Sequence, residues 1–215
     1  AMVTHVERDE RNRYVVTVIT SEETEQVMVA TTVLLATGGF AANKELIAAY
    51  RPDLVTYETT NHLGATGDGL KLGTSLGGQL VDMAQIQVHP TVNQDQEHAF
   101  LIGEMVRGEG AILVNREGKR FVDELATRQV VTDAINNQSE ADGYLIFNAA
   151  LVERVKAIKF YDHMGLVVHG HTCEELAEKL DFPVETFKDT MIEWQNVVIQ
   201  QRDSQCGREQ GLIDG

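Results

Sequence analysis

Residues 32–43 read TVLLATGGFAAN, and this stretch decides the fold class. Val33, Leu34 and Leu35 form an apolar run without polar alternation, the pattern of a strand buried on both faces. The run stops at Gly38-Gly39, where missing Cβ atoms let the backbone turn sharply or approach a ligand. Asn43 then predicts an N-cap for a short helix, KELIAAY, which Pro52 ends. Upstream, residues 3–8, 13–20 and 26–36 are rich in Val, Ile and Thr and are separated by the polar breaks RDERN and SEETE. They predict a β-ribbon feeding the buried strand. Downstream, HLGATGDGLKLGTSLGG predicts a helix over residues 66–76, opened by one glycine turn and closed by Gly77-Gly78. Residues 79–83 predict a return to strand.

Past residue 85 the pattern changes. QIQVHPTV predicts a short strand, and AILVN-REG-KRFVDE predicts a hairpin turning at residues 116–118. A helix is expected over 126–139, and DGYLIFNAALVERV reads as a strand running into a helix. Over 183–202, Val184, Phe187, Met191, Trp194 and Val198 fall on one helical stripe, with Pro183 in the first turn. The polar tail 203–215 is expected to fray. The fold class is therefore α+β with an α/β remnant, divided near residue 85.

A chain of 215 residues holds one large domain or one and a half ordinary ones. Hydrophobic residues make up 43% and charged residues 24%, which argues against a disordered or fibrous chain. Lys and Arg total 18 against 33 Asp and Glu, a net charge of −15, and such a surface repels phosphate backbones. No nucleic-acid partner is expected, and no membrane span, because no run of about 18 apolar residues occurs. The polar start AMVTHVERDE predicts no signal peptide, and Ala1-Met2 reads as a cloning remnant. Cys173 and Cys206 make no metal spacing and fit a reducing, cytoplasmic setting. His169 and His171 lack a third ligand, so no metal site is expected.

Two constellations could carry chemistry. Thr37-Gly38-Gly39 ends the apolar run, and Thr66-Gly67-Asp68-Gly69 opens the next helix. Ligands of open α/β sheets sit beyond the carboxyl ends of strands, where Asp68 could accept a ribityl or ribose hydroxyl. The bland alternative is a pair of tight turns with Asp68 as a helix cap. No GxGxxG fingerprint occurs, so no complete dinucleotide-binding unit is present. The second constellation is His89-Pro90-Thr91 with Glu104, Arg107 and Arg128. Glu104 and Arg107 are three apart and share a face if helical. Between 104 and 128, Arg107, Arg116, Lys119, Arg120 and Arg128 balance Glu104, Glu109, Glu117, Asp123 and Glu124. A locally neutral stretch in an acidic chain tolerates an anionic ligand, although a surface salt-bridge network has the same composition. His89 alone reads equally well as a packed structural histidine.

Taken in order, LLATGGFAAN, GATGDGLKL, IQVHPT and GEMVRGEGAILVNREGKRFVDELATR resemble the fumarate reductase/succinate dehydrogenase flavoprotein family, nearest to its soluble fumarate reductase (flavocytochrome c type) branch. The resemblance covers roughly residues 15–200. It implies an FAD-binding domain with a capping (clamp) domain inserted and the active site between them. Residues 1–84 would be part of the FAD-binding domain and 85–215 the capping domain, so the chain reads as a piece of a longer flavoenzyme. By the same resemblance, His89 binds a substrate carboxylate, Glu104 and Arg107 form a proton path, and Arg128 is the proton donor. Asp68 contacts the flavin, and Thr37, Gly38 and Gly39 line the cofactor side. Gly103 departs from the branch, which has a substrate-binding threonine there, and the loop between His89 and Glu104 is slightly longer. The implied reaction is hydride transfer from reduced FAD to an alkene dicarboxylate. Alternatives are urocanate or other enoate reduction, aspartate oxidation, ketosteroid dehydrogenation, or a non-catalytic module. The implied partners are the small acid substrate and the rest of the FAD domain, without which this piece is expected to be inactive and to lose FAD.

Overall fold

The computed structural model describes residues 1–94 and 99–213. The chain divides into two compact units, Ala1–Ile86 and Gln87–Gly215. It is mixed α+β, as the sequence predicts.

In the first unit, β1 (Met2–Arg8), β2 (Tyr14–Ile19) and β3 (Glu25–Ala30) form an antiparallel meander in that order. Val16 and Val18 point to one face at strand period and pack with Val6 against Leu72. Leu72 lies on α2 (Asp68–Ser75), which follows α1 (Lys44–Tyr50). Asn43 caps α1 by accepting from the Leu46 N–H at 3.0 Å, and its amide donates to Thr66 O at 2.9 Å. One side chain thereby ties the first helix to the glycine turn of the second.

Residues 32–37 and 79–83 are not strands. Neither segment finds a ladder partner among the described residues, and Leu34 is 86% exposed. Apolar composition alone cannot make a strand without a neighbour to accept its backbone bonds.

The second unit is built on β6 (Ile112–Val114), whose three residues are all buried. Ile112 and Val114 face α7 (Cys173–Lys179) and α8 (Val184–Gln200), packing with Phe187 and Trp194. Leu113 packs with Val122 and with Val131 and Ile135 of α4 (Arg128–Asn136). The expected turn forms, with Asn115 N–H bonded to Lys119 O at 3.0 Å, but the second arm contributes a single bridge, Val114 to Arg120. The ladder of β6 goes instead to β7 (Tyr144–Ile146). Arg120 is drawn inward to Glu124, which takes the chain off the ladder.

Two further short strands, β4 (Val92–Asn93) and β5 (Phe100–Leu101), flank residues 95–98, so the extra length expected between His89 and Glu104 lies partly outside the described residues. Then comes α3 (Glu104–Gly108), supported through Val106 by Leu151 of α5 (Ala149–Arg154) and Ile158 of α6 (Ala157–His163). The tail does not fray over its described residues: Asp203, Arg208 and Leu212 are buried. Residues 214–215 lie outside the description.

Candidate active site

The α3 helix follows from a backbone clamp. Thr91 Oγ1 donates to Ile102 O at 2.7 Å and Ile102 N–H donates to Thr91 O at 2.9 Å, pinning the end of His89-Pro90-Thr91 beside the start of α3. Gly103, the N-cap, donates its N–H to the Tyr161 hydroxyl at 3.1 Å. Helical spacing then sets Glu104 Oε1 at 3.9 Å from Arg107 Nη2.

Arg128 opens α4 after the cap Thr127 and grips Glu104 from the other side. Its Nε and Nη2 donate to the two carboxylate oxygens at 2.6 and 2.9 Å, a forked charge-assisted pair. Its Nη1 donates to Gln87 Oε1. The structure thus brings Glu104, Arg107 and Arg128 together, with His89 near enough to feel all three charges.

Their electrostatics differ. Arg128 holds the Glu104 carboxyl below the usual carboxylate range, and Glu104 in turn raises Arg128. Arg107 is 3% exposed, and burial lowers its guanidinium from the ordinary value. It donates from Nη1 to Glu124 O at 2.6 Å, while Nε has no partner among the described residues. Burial, followed by the Arg107 charge, also lowers His89. His89 Nδ1 accepts the Thr91 N–H at 3.3 Å, so the neutral ring carries its proton on Nε2 and has a donor to offer.

The first unit holds the other candidates. Thr37 and Asp68 line one cleft with Val6, Val16 and Leu72. Gly67 N–H donates to Gly39 O at 3.1 Å, joining the two glycine turns, and a Cβ at Gly69 would overlap Thr37 Oγ1. Asp68 is not a cap. Gly67 holds that position without a side-chain bond, and Asp68 accepts from Thr66 Oγ1 at 2.9 Å. Gly38 and Gly39 are exposed, and no atom of the described residues lies within 4 Å of where a Cβ would stand.

Residues 2–211 match the model of the FAD binding domain family. The chain belongs to the fumarate reductase flavoproteins of that family. It is 41% identical to the NADH:fumarate oxidoreductase of Klebsiella pneumoniae over 90% of this chain and 21% of that one. It is 38% identical to a probable fumarate reductase of Shewanella frigidimarina over 83% of this chain and 30% of that one. A solved flavocytochrome c3 fumarate reductase in its open conformation superposes with a TM-score of 0.68 at 33% identity, covering 99% of this chain and 38% of that one. The chain therefore spans about a fifth to two fifths of the relatives it matches.

FAD is the cofactor of these flavoproteins. The open space before Gly38 and Gly39 and the joined glycine turns fit backbone approach to a flat ligand. Asp68 fits a hydroxyl partner, since its carboxylate already accepts one hydroxyl.

Sequence reasoning missed several members of the flavoprotein's second unit. Gln87 stands two residues before His89, a spacing that places both on one side of an extended segment and could have found it. Tyr161 is 58 positions from its partner Gly103 and carries no local signal. The balanced charges between 104 and 128 are only partly a surface network. Arg120 and Glu124 are buried as a pair, and Arg208 joins them from the tail. His169, half of the discarded metal pair, bonds to Asp162 at 2.7 Å, and no group of three metal-ligating side chains occurs among the described residues.

Proposed function

We propose that this chain supplies the proton-delivery residues and part of the FAD surface of a fumarate reductase-like enzyme that reduces alkene carboxylic acids. The observation that carries this reading is the chain of contacts Arg107–Glu104–Arg128, with the charges of all three felt by His89, whose Nδ1 accepts a backbone N–H. Thr37, Gly38, Gly39 and Asp68 hold the cofactor side, in an FAD-binding segment over 1–84, with 85–215 as capping domain.

When bound, reduced FAD supplies a hydride to one alkene carbon. His89 donates to a substrate carboxylate and so favours negative charge developing on the neighbouring carbon. Arg128 protonates that carbon. A guanidinium is a weak acid, and its raised value makes it weaker, so it gives up a proton only to a strong base such as a carbanion. Glu104, held ionised by two N–H bonds, is placed to take a proton from Arg107 and pass it to the neutral Arg128 left by the transfer, and Arg107 regains its proton from solvent. The buried Arg107 is the easier of the two guanidiniums to deprotonate, because burial disfavours its charge. The isolated chain, holding only part of the flavin surface, has no turnover of its own.

Gly103 favours a second reading for the substrate. Among the described residues, its Cβ position meets the Tyr161 hydroxyl alone, at 3.6 Å, which favours room for an acid bulkier than fumarate, such as urocanate. The test is a panel of alkene acids offered, with reduced viologen as electron donor, to the FAD-loaded protein that carries this chain. Turnover on at least one alkene acid is expected. Uniform inactivity of a flavin-saturated sample contradicts the proposal.

A further inference from the structure

Beneath the proposed proton path lies a second charged cluster that the mechanism does not use. Arg120, Glu124, Asp203 and Arg208 are all buried. The Glu124 carboxylate accepts four N–H groups: Arg120 Nε at 2.9 Å, Arg120 Nη2 at 2.8 Å, Arg208 Nη1 at 3.2 Å and the Leu113 backbone at 3.1 Å. Arg120 Nη2 also donates to Asp203 at 3.0 Å, and both guanidiniums lie over Trp194, at 4.6 and 5.1 Å from ring centroids. Two cations and two anions balance. Such a cluster is a poor source of stability, because desolvating the ions offsets most of their attraction and apolar residues of equal volume often serve as well. What ions add is direction, since each bond fixes an angle as well as a distance.

The direction here is toward α3. Arg208 Nη2 donates to Arg107 O at 2.8 Å and Nη1 to Ala111 O at 3.0 Å, taking carbonyls at and just beyond the end of that helix. Arg107 Nη1 reaches back to Glu124 O at 2.6 Å. The tail seats closely on the same helix. Gly211 has φ +58, and a Cβ there would stand 2.9 Å from both Gly108 O and Arg208 Nη2. Resting on the proton path proposed above, we infer that Arg208 and Glu124 are positioning residues, which lock α3 and the Arg107 guanidinium so that Glu104 stays aligned between Arg107 and Arg128. They touch neither substrate nor flavin in this account; they act through Arg107.

The test uses the FAD-loaded protein carrying this chain, with kcat and KM measured per bound flavin on its best alkene acid. Glu124→Gln keeps the side-chain size, removes the carboxylate charge and sets an amide N–H2 against two of the four N–H donors that the carboxylate accepts. Gly211→Ala keeps every charge and pries the tail from α3. Arg107→Met serves as reference for a broken path. Both test variants are expected to leave KM and flavin content near wild type, to lower kcat about tenfold or more, and to raise the solvent deuterium isotope effect on kcat. A purely structural role would lower thermal stability alone. If either variant folds with wild-type kcat per flavin while Arg107→Met is slow, the positioning role is overturned and the proton path stands. If Arg107→Met itself turns over at the wild-type rate, the path fails and the positioning role with it. Should one test variant fail to fold, the other decides.

Discussion

Glu104 is held by Arg128 through two N–H bonds and faces a buried Arg107 one helical step away, so three charges of alternating sign sit in sequence. Glu104 and Arg107 were legible from helical spacing, whereas Arg128, 24 positions beyond Glu104, was reached through the resemblance of the motif string. Glu124 and Arg208 were not, since 84 positions separate them and no periodicity links a lone tail arginine to a buried carboxylate. His89 gives the residue-scale prediction. Its value is lowered by burial and by Arg107 and Arg128, against an upward pull from Glu104. The folded protein therefore binds the His89 proton less readily than the unfolded chain. The stability tied to neutral His89 is complete above the ordinary histidine value near 6.5 and is lost as pH falls from there through the folded value. An NMR titration is expected to find the His89 midpoint below 6.5, and Glu104→Gln is expected to lower it further. A midpoint at or above 6.5 in the wild-type protein would count against the geometry described for His89.

At the scale of elements, the helices were the readable part. Asn43 caps α1 as expected, and the stripe through Phe187 and Trp194 is the buried face of α8. The ribbon of β1, β2 and β3 was read as well, and strands were misread where composition alone named a segment that no ladder took up. Val33 to Leu35 have strand composition but no ladder, and β6 chose β7 over the segment that follows its own turn. That turn was still set by sequence. Gly118 has φ +72, and a Cβ there would lie 3.0 Å from Phe187 Cβ and 3.2 Å from Phe187 Cα, so the buried start of α8 would have to shift by a few tenths of an ångström. Gly118→Ala therefore combines a left-handed backbone penalty with a clash. It is expected to destabilise the second unit by about 2–5 kcal/mol, from a left-handed cost of about 1–2 kcal/mol and overpacking of about 1–3 kcal/mol. Urea denaturation measures the change, and an unchanged midpoint would show that the turn does not press on α8.

For the whole molecule, a net charge of −15 argues against a nucleic-acid partner, and no described helix is long and apolar enough to cross a membrane. The family followed from the order of four motifs, none of them diagnostic alone. The chemistry falls into two separately described units, with glycine turns for a flat cofactor in the first and a carboxylate between guanidiniums in the second. The polar tail was the largest misjudgement, because its hydrophilic composition concealed a buried arginine. The central claim is that Arg128 gives its proton to the reduced substrate. It is tested most directly by Arg128→Ala in the FAD-loaded protein, reduced and then mixed with its alkene acid while flavin reoxidation is followed by absorbance. The account predicts normal flavin content and no detectable reoxidation by the acid; reoxidation at a rate near wild type would contradict it.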